Sequence, residues 1–553
     1  MTGLQGVVLR MLDTLCSVAT WLAANLSFVV MSAVSVGGVT LSVAADVANR
    51  NWQRYEPASS ASGAILFTES RPKVALELLH ELARFDVLVD QYIEPFAQLA
   101  HDIAPQLGDR QLDTTSDEGL TLLLLSKRRD FVRLFKPAHF SAFTLPTLSH
   151  TTLVVGPAAR STGLRENLLH EYVHYRLRRD IPGGLPLWFE EGLASYLSNV
   201  RFRRDPRKPE SLQVELGHWV GQDYHATNRS PRYSVRRQIL SITDKALRLE
   251  DLVQRRNLDG MPRTAVEQFY HSSHALVRYL YASAELDRSA LAAALVLGTP
   301  SFPTGVDVDL AAAMRAIRRH YDTTAGATER FVLIAPAEVA IAQERLAPAQ
   351  VRRSLAEAAL LANPPAAAQL YEILAKEHPA EAWTWVGASK ALRLQGKTAE
   401  AQAQLAVAQK LAPDSPAVLL EQAATRTTGC IVAPTQACSQ AWRRAMLDLR
   451  DVLDHKASNY EAIYRLGIAH LYLGQPGEAQ GYLQIAWQRV PWSPRVNYFV
   501  GESLRLTGDT RARWFLDGAQ RWAASAFYEQ AAAEALRLLP VEPVPAQPGQ
   551  LLE

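Results

Sequence analysis

Five consecutive residues, His170-Glu171-Tyr172-Val173-His174, concentrate chemistry more than any other part of the chain. Two histidines four positions apart on a helix differ by only about 40° in azimuth, so both imidazoles leave one face and can hold a single Zn²⁺. Glu171 follows the first histidine and lies beside such an ion, within reach of a proton on a water that the metal activates. Chance rarely supplies this pattern: 14 histidines and 56 acidic residues in 553 positions give roughly 0.04 expected occurrences. A third ligand is still needed. Ile181-Pro182-Gly183-Gly184 breaks the helix, and the stretch Pro186 to Leu197 can return antiparallel as a second amphipathic helix. Its Glu191, 17 positions after His174, would complete two His and one Glu and leave a fourth position for water.

The elements that must position these residues are also legible. Leu168, Leu169, Tyr172, Val173 and Leu177 seat the first helix in a core. Upstream, a strand-like GAILFTES, a helical stretch from Pro72 to Ile93, an apolar run from Leu120 to Ser126 and another from Thr151 to Gly156 predict an α/β or α+β layer. From about Ala337 strand signals stop and Ala, Leu, Gln and Glu dominate, which places a domain boundary there.

The C-terminal half repeats. With Gly396 superposed on Gly474, Ala401, Leu405, Ala408 and Pro413 fall opposite Ala479, Leu483, Ala486 and Pro491. Windows 34 residues wide with small residues at these offsets resemble the tetratricopeptide repeat. Ala367, Tyr371 and Pro379 upstream, and Gly501 and Gly508 downstream, match more loosely. The spacing between the two clear windows leaves room for a degenerate repeat carrying about ten extra residues. Cys430 and Cys438 lie there, open to a disulfide in an oxidising compartment or to two ordinary thiols in a reducing one. A generic Ala-rich bundle is the alternative to the repeat.

Composition narrows the function further. Lys+Arg number 58 against 56 for Asp+Glu, too balanced to hold a polyanion, and no base-reading motif is present, so nucleic acid is not an expected partner. A hydrophobic fraction of 48% excludes a disordered scaffold. Three cysteines make neither a disulfide framework nor a four-thiolate zinc site. Thr14 to Ala45 carries no charge and ends in Ser42-Val43-Ala44-Ala45, so residues 1–50 read as a signal peptide or a membrane anchor. The other readings are a buried helix, or a start assigned too early with Met11 or Met31 as the true one. Asp13 spoils a lipobox before Cys16.

The motif His170 to His174, followed by Trp188-Phe189-Glu190-Glu191-Gly192-Leu193-Ala194-Ser195-Tyr196, resembles the gluzincins, in particular the peptidase MA-like group that shares this second signature with aminopeptidase N. The resemblance reaches from about Trp52 to Tyr321, and its specific part is Glu166 to Ser198. It implies that His170, His174 and Glu191 bind Zn²⁺, that Glu171 is the general base, and that Ser195 lies just behind the ligands. It also implies a sheet edge that pairs with an extended substrate, for which Thr151 to Gly156 is the nearest strand by position. An oxyanion donor is expected downstream, where Phe269 to Tyr281 offers Tyr270, His271 and His274; Tyr270 is the choice, against a plain packing role. The G-A-M-E-N segment of the exopeptidase branch is absent. Val200 to Lys208, with five basic residues against Asp205, reads as a solvated loop or as a rim contact for an acidic substrate.

The expected architecture is therefore an α+β zincin-like catalytic domain over 51–336, followed by an all-α tetratricopeptide-repeat solenoid over 337–540 and a disordered tail over 541–553. The expected function is zinc-dependent hydrolysis of peptide or amide bonds by an exported, periplasmic or membrane-anchored protein, with the repeats recruiting a substrate or protein partner. The alternatives are a non-catalytic binding platform with an inactive or structural zincin domain, and an amidase acting on cell-envelope material.

Overall fold

The computed structural model describes residues 46–57, 64–69, 72–103, 119–136, 141–157, 161–182, 184–205, 207–217, 261–282, 288–296, 329–336, 340–432, 435–522 and 526–540, with 252, 253, 255 and 258 between them. The uncharged run Thr14 to Ala45, Cys16 and the tail 541–553 lie outside the described residues. Among the described residues no helix is long and apolar enough to cross a membrane.

A six-stranded sheet organises the first part. Its strands are β1 (Gln53–Pro57), β2 (Ala64–Thr68), β3 (Gly119–Leu124), β4 (Ala142–Pro146), β5 (His150–Val155) and β9 (Ile341–Arg345), in the order β4-β5-β3-β2-β1-β9. β3 is parallel to both its neighbours, β2 and β5. A central parallel strand is covered on both faces, which is why its sequence is an unbroken leucine run. Its alternation divides the interior. Leu123 and Leu125 face a core built from α2 (Arg128–Phe135) and the first repeat helices. Leu120, Leu122 and Leu124 face the main core, which holds α1 (Pro72–Ile103), α3 (Ser161–Asp180), α4 (Leu187–Ser198), α5 (Arg263–Ala282) and α6 (Arg288–Val296).

Four features depart from the sequence reading. Thr151 to Gly156 was expected at the sheet edge, but β5 is an inner strand; the edge is β4, antiparallel to β5 with Thr144 opposite Leu153. The basic segment from Val200 is not a loop: β6 (Arg201–Asp205) and β7 (Lys208–Leu216) form a hairpin that β8 (Glu329–Ile334) extends into a small second sheet. Phe202 packs on the main core, and Glu215 sits 3.8 Å from Arg203 and 3.3 Å from Arg330, so charge pairing and a half-buried face hold what looked like a solvated run. Strand structure continues past Ala337, since β9 pairs with β1 from Gln53↔Arg345 to Pro57↔Ile341. Finally, Asp46 to Arg50 belong to the folded body and not to a leader: Val47 and Ala48 are buried, and Arg50 lies 2.7 Å from both Asp46 and Asp130.

The remaining helices pair in sequence. α7 (Pro348–Ala362) packs with α8 (Pro364–Glu377), α9 (Ala382–Leu394) with α10 (Thr398–Leu411), α11 (Pro416–Arg426) with α12 (Gln436–His455), α13 (Tyr460–Tyr472) with α14 (Pro476–Arg489), and α15 (Pro494–Leu506) with α16 (Ala512–Trp522), before α17 (Ala526–Arg537). The turn within three of these hairpins is the same. Gly396, Gly474 and Gly508 each sit at φ +76°, and the next residue's N–H donates to the carbonyl of Leu392, His470 and Leu504 respectively. That left-handed turn favours glycine, and it explains why glycines anchored the alignment.

The hairpin of α11 and α12 occupies the space expected for a degenerate repeat. Cys430, in its connection, and Cys438, in the first turn of α12, are joined by a disulfide, with Cα atoms 5.6 Å apart, and both pack in the repeat core beside Trp442. Closing so short a loop stabilises the fold by roughly 2–3 kcal/mol in the chain-entropy view. Cys430→Ser with Cys438→Ser is therefore expected to lower the thermal midpoint in non-reducing buffer, and added reductant to lower the wild-type midpoint to match; equal midpoints for both proteins before reduction would show that the bond carries no stability.

Candidate metal centre

α3 is seated as its apolar residues require: Leu168, Leu169, Tyr172, Val173 and Leu177 are all in the main core. This leaves His170 and His174 on one face, where α4 crosses. Their Nε2 atoms are 3.1 Å apart. Glu191 Oε2 lies 3.1 Å from His170 Nε2 and 3.3 Å from His174 Nε2. The three residues form the one group of three or more potential ligands found among the described residues, with ligand atoms within 4.8 Å of one another.

These separations test whether a metal fits. Ligands about 2.0–2.1 Å from a tetrahedral Zn²⁺ stand about 3.3 Å apart, so two imidazole nitrogens and a carboxylate oxygen at 3.1–3.3 Å have the spacing of three corners of that figure. The donor set also matches the borderline-soft preference of zinc for imidazole and carboxylate.

Electrostatics point the same way. His174 is flanked by carboxylates on both ring nitrogens, Glu191 at Nε2 and Glu190 Oε1 2.9 Å from Nδ1. Burial opposes an imidazolium here, but Glu191 and Glu190 outweigh it and push the His174 pKa up to about 10. Burial likewise opposes the Glu191 carboxylate, yet His174 and His170 hold it well below the usual carboxylate range. Without a metal, then, the pocket takes up a proton in place of a cation. A raised folded-state pKa stabilises the metal-free fold fully below about 6.5, the usual histidine value, and this stabilisation is lost as pH climbs through about 10. We expect zinc uptake at pH 7 to release about one proton, read from calorimetric enthalpies in buffers of different ionisation heat. An enthalpy independent of buffer would contradict the protonated His174.

Glu190 escaped the sequence reading, which placed Ser195 behind the ligands. The Ser195 backbone carbonyl accepts from Asn199 Nδ2 at 2.6 Å and from Ser198 Oγ at 3.3 Å, so these two side chains close the end of the helix. Glu190 orients His174 and in turn accepts from Arg178 Nε at 3.1 Å. Its signal was the adjacent acidic pair: on a helix, neighbours differ by about 100°, so Glu190 and Glu191 reach His174 from different sides. Glu190→Gln is expected to weaken zinc binding about 10–100-fold, measured by competition with a chromogenic chelator, with the fold retained.

The remaining site residues gather around this centre. Glu171 Oε2 accepts from Thr144 Oγ1 at 2.8 Å, so edge strand β4 positions the carboxylate that follows the first ligand. Tyr270, on α5, donates from Oη to Glu191 Oε1 at 3.3 Å, and its ring centroid lies 6.1 Å from that of His170. α5 can come this close because residue 192 is glycine: a Cβ there would meet the Ser273 carbonyl at 2.5 Å. Of the other two candidates on α5, His274 is buried against Tyr196, with burial and Arg278 pushing its pKa down to about 3, and burial also lowers that of His271.

No family model matches this chain, and no curated protein does. Among solved structures, the chain is similar to a thermophilic tetratricopeptide-repeat protein of Thermus thermophilus, at 16% identity over 34% of this chain and 99% of that one, with a TM-score of 0.29. It is also similar to the MamA protein, at 15% identity over 34% and 94% of the two chains with a TM-score of 0.24. A third is PilW, a type IV pilus biogenesis factor, at 15% over 33% and 97% with a TM-score of 0.23. The C-terminal half is an array of sequentially paired helical hairpins. Each of these three neighbours covers about a third of the chain.

Proposed function

We propose that the chain is a zinc-dependent hydrolase of peptide or related amide bonds, of gluzincin type, whose repeat half docks a protein substrate or partner. The observation that carries this reading is the convergence of His170, His174 and Glu191 within 4.8 Å, with a second carboxylate, Glu171, and the Tyr270 phenol beside them. A zinc ion bound there would supply Lewis-acid polarisation of a scissile carbonyl and a water of lowered pKa. Glu171 accepts the proton of the attacking water and returns it to the leaving amine, kept in place by the Thr144 hydroxyl. Tyr270 stays protonated, because burial and the carboxylates of Glu191 and Glu171 raise its pKa well above the ordinary value. It can therefore donate to negative charge that develops on the carbonyl oxygen. The reaction forms no covalent link to the protein.

Exported or membrane-anchored placement belongs to the same proposal, supported by the uncharged run before Asp46 and by the disulfide of Cys430 and Cys438. The test is metal analysis of the purified chain together with digestion of an unbiased peptide library. About one zinc per chain and cleavage that a chelator abolishes are expected. Zinc without cleavage of any peptide would favour the platform or the cell-envelope amidase over a peptidase; no zinc would end the proposal.

A further inference from the structure

Arg178 stands four positions after His174, which stands four after His170, so the three leave one face of α3 on successive turns. Its Nε donates to Glu190 Oε1 at 3.1 Å, and that same oxygen lies 2.9 Å from His174 Nδ1. The carboxylate that orients the ligand is thus itself oriented by an arginine. Holding a long arginine side chain in one rotamer costs conformational freedom, and here an indole does the holding: the Arg178 guanidinium lies over the Trp492 ring, 5.5 Å from its centroid. Trp492 belongs to the repeat array. It sits in the turn between α14 and α15, half-buried against the core of the later hairpins, so its ring is a fixed platform.

A second contact runs from the repeats to Glu171. Alternate residues of a strand face opposite ways, so while the Thr144 hydroxyl donates to Glu171, its neighbours Phe143 and Leu145 pack on the core that the sheet shares with α7, α8 and α9. Leu148, in the turn that follows β4, packs on the core of the later hairpins. Thr144, Arg178 and Trp492 line one gap where the two halves of the chain meet.

We propose that the repeat array is part of the support of the metal centre, and that Trp492 is a positioning residue for zinc that acts on His174 through Arg178 and Glu190. The inference rests on the zinc hydrolase reading for its ion. An imidazole whose far nitrogen is already fixed loses less freedom when it takes a metal, so each link that is held adds to affinity. The repeats then do more than dock a protein: the turn between α14 and α15 sets how firmly the ion is bound.

The test uses the full chain, stripped of metal and titrated with Zn²⁺ against a chromogenic chelator. Trp492→Ala is expected to weaken zinc binding about fivefold, the scale of one cation–π contact, and Trp492→Phe, which keeps a ring under the guanidinium, to restore most of it. In a Glu190→Ala background, where the link is already cut, Trp492→Ala should cost nothing further, a result that a general loss of repeat stability would not produce. Arg178→Lys keeps the charge but not the planar group that stacks, and a similar loss from it gives a second reading should the Trp492→Ala protein fail to fold. Affinity within about twofold of wild type for either variant in folded protein, or an undiminished loss in the Glu190→Ala background, overturns the proposal. With zinc bound normally by the wild type, those results sink this inference alone. A wild-type chain that takes up no zinc ends the hydrolase reading and this inference with it, whereas the expected coupling without cleavage of any peptide sinks the hydrolase alone.

Discussion

Glu171→Gln is expected to cut kcat by about 10²–10⁴-fold while zinc content stays at the wild-type level, the range that loss of a general base commonly gives. The expectation comes from where the side chain sits. Glu171 is buried beside the ligands on the same helix, and it is tied to Thr144 of the sheet edge at 2.8 Å and not to the converging ligand atoms. Glutamine keeps the shape and can still accept that hydroxyl, so the pocket keeps its form and its metal while losing the ability to take a proton. KM should change little. Turnover within tenfold of wild type, or a fall in zinc content that tracks the fall in rate, would remove Glu171 from the proposed role.

Tyr270→Phe is the second large effect, expected at about 10²–10³ in kcat, the usual loss when one donor to a developing oxyanion is removed. The sequence left a packing role open for this residue, and the two roles predict different results. As packing, the ring is what matters, and phenylalanine preserves it; the rate would then stay within about threefold of wild type, and only stability would be worth measuring. As a donor, the hydroxyl is what matters, and KM should hold while kcat falls. The structure favours a measurable difference because Oη reaches Glu191 Oε1 at 3.3 Å, and because the close crossing at Gly192 fixes α5 over the ligand-bearing helix.

What could be read in advance was whatever a local pattern encodes. The two helices carrying the candidate ligands were visible because their apolar residues repeat at helical spacing, and three of the repeat hairpins because each has a glycine at the same left-handed turn. What could not be read depends on partners distant in sequence. β4 has one buried residue, Ala142, and four half-buried ones, so it lacks the alternation that announces a strand, yet it is the edge that positions Glu171. β9 is almost wholly exposed and polar, and only its ladder to β1 makes it a strand. Glu190 sat at the unspecified position of a motif whose neighbours drew the attention, and its part becomes evident only when His174 is seen between two carboxylates.

The ladder between β1 and β9 has a consequence for biogenesis. Gln53 is paired with Arg345, so β1, made early by the ribosome, must wait for one of the last residues before the helical array to emerge. At roughly 5–20 residues per second that delay lasts on the order of 15–60 seconds, during which the Trp52 and Leu123 face of the sheet has no repeat helices to cover it. A nascent chain in that condition is a natural client for holding chaperones.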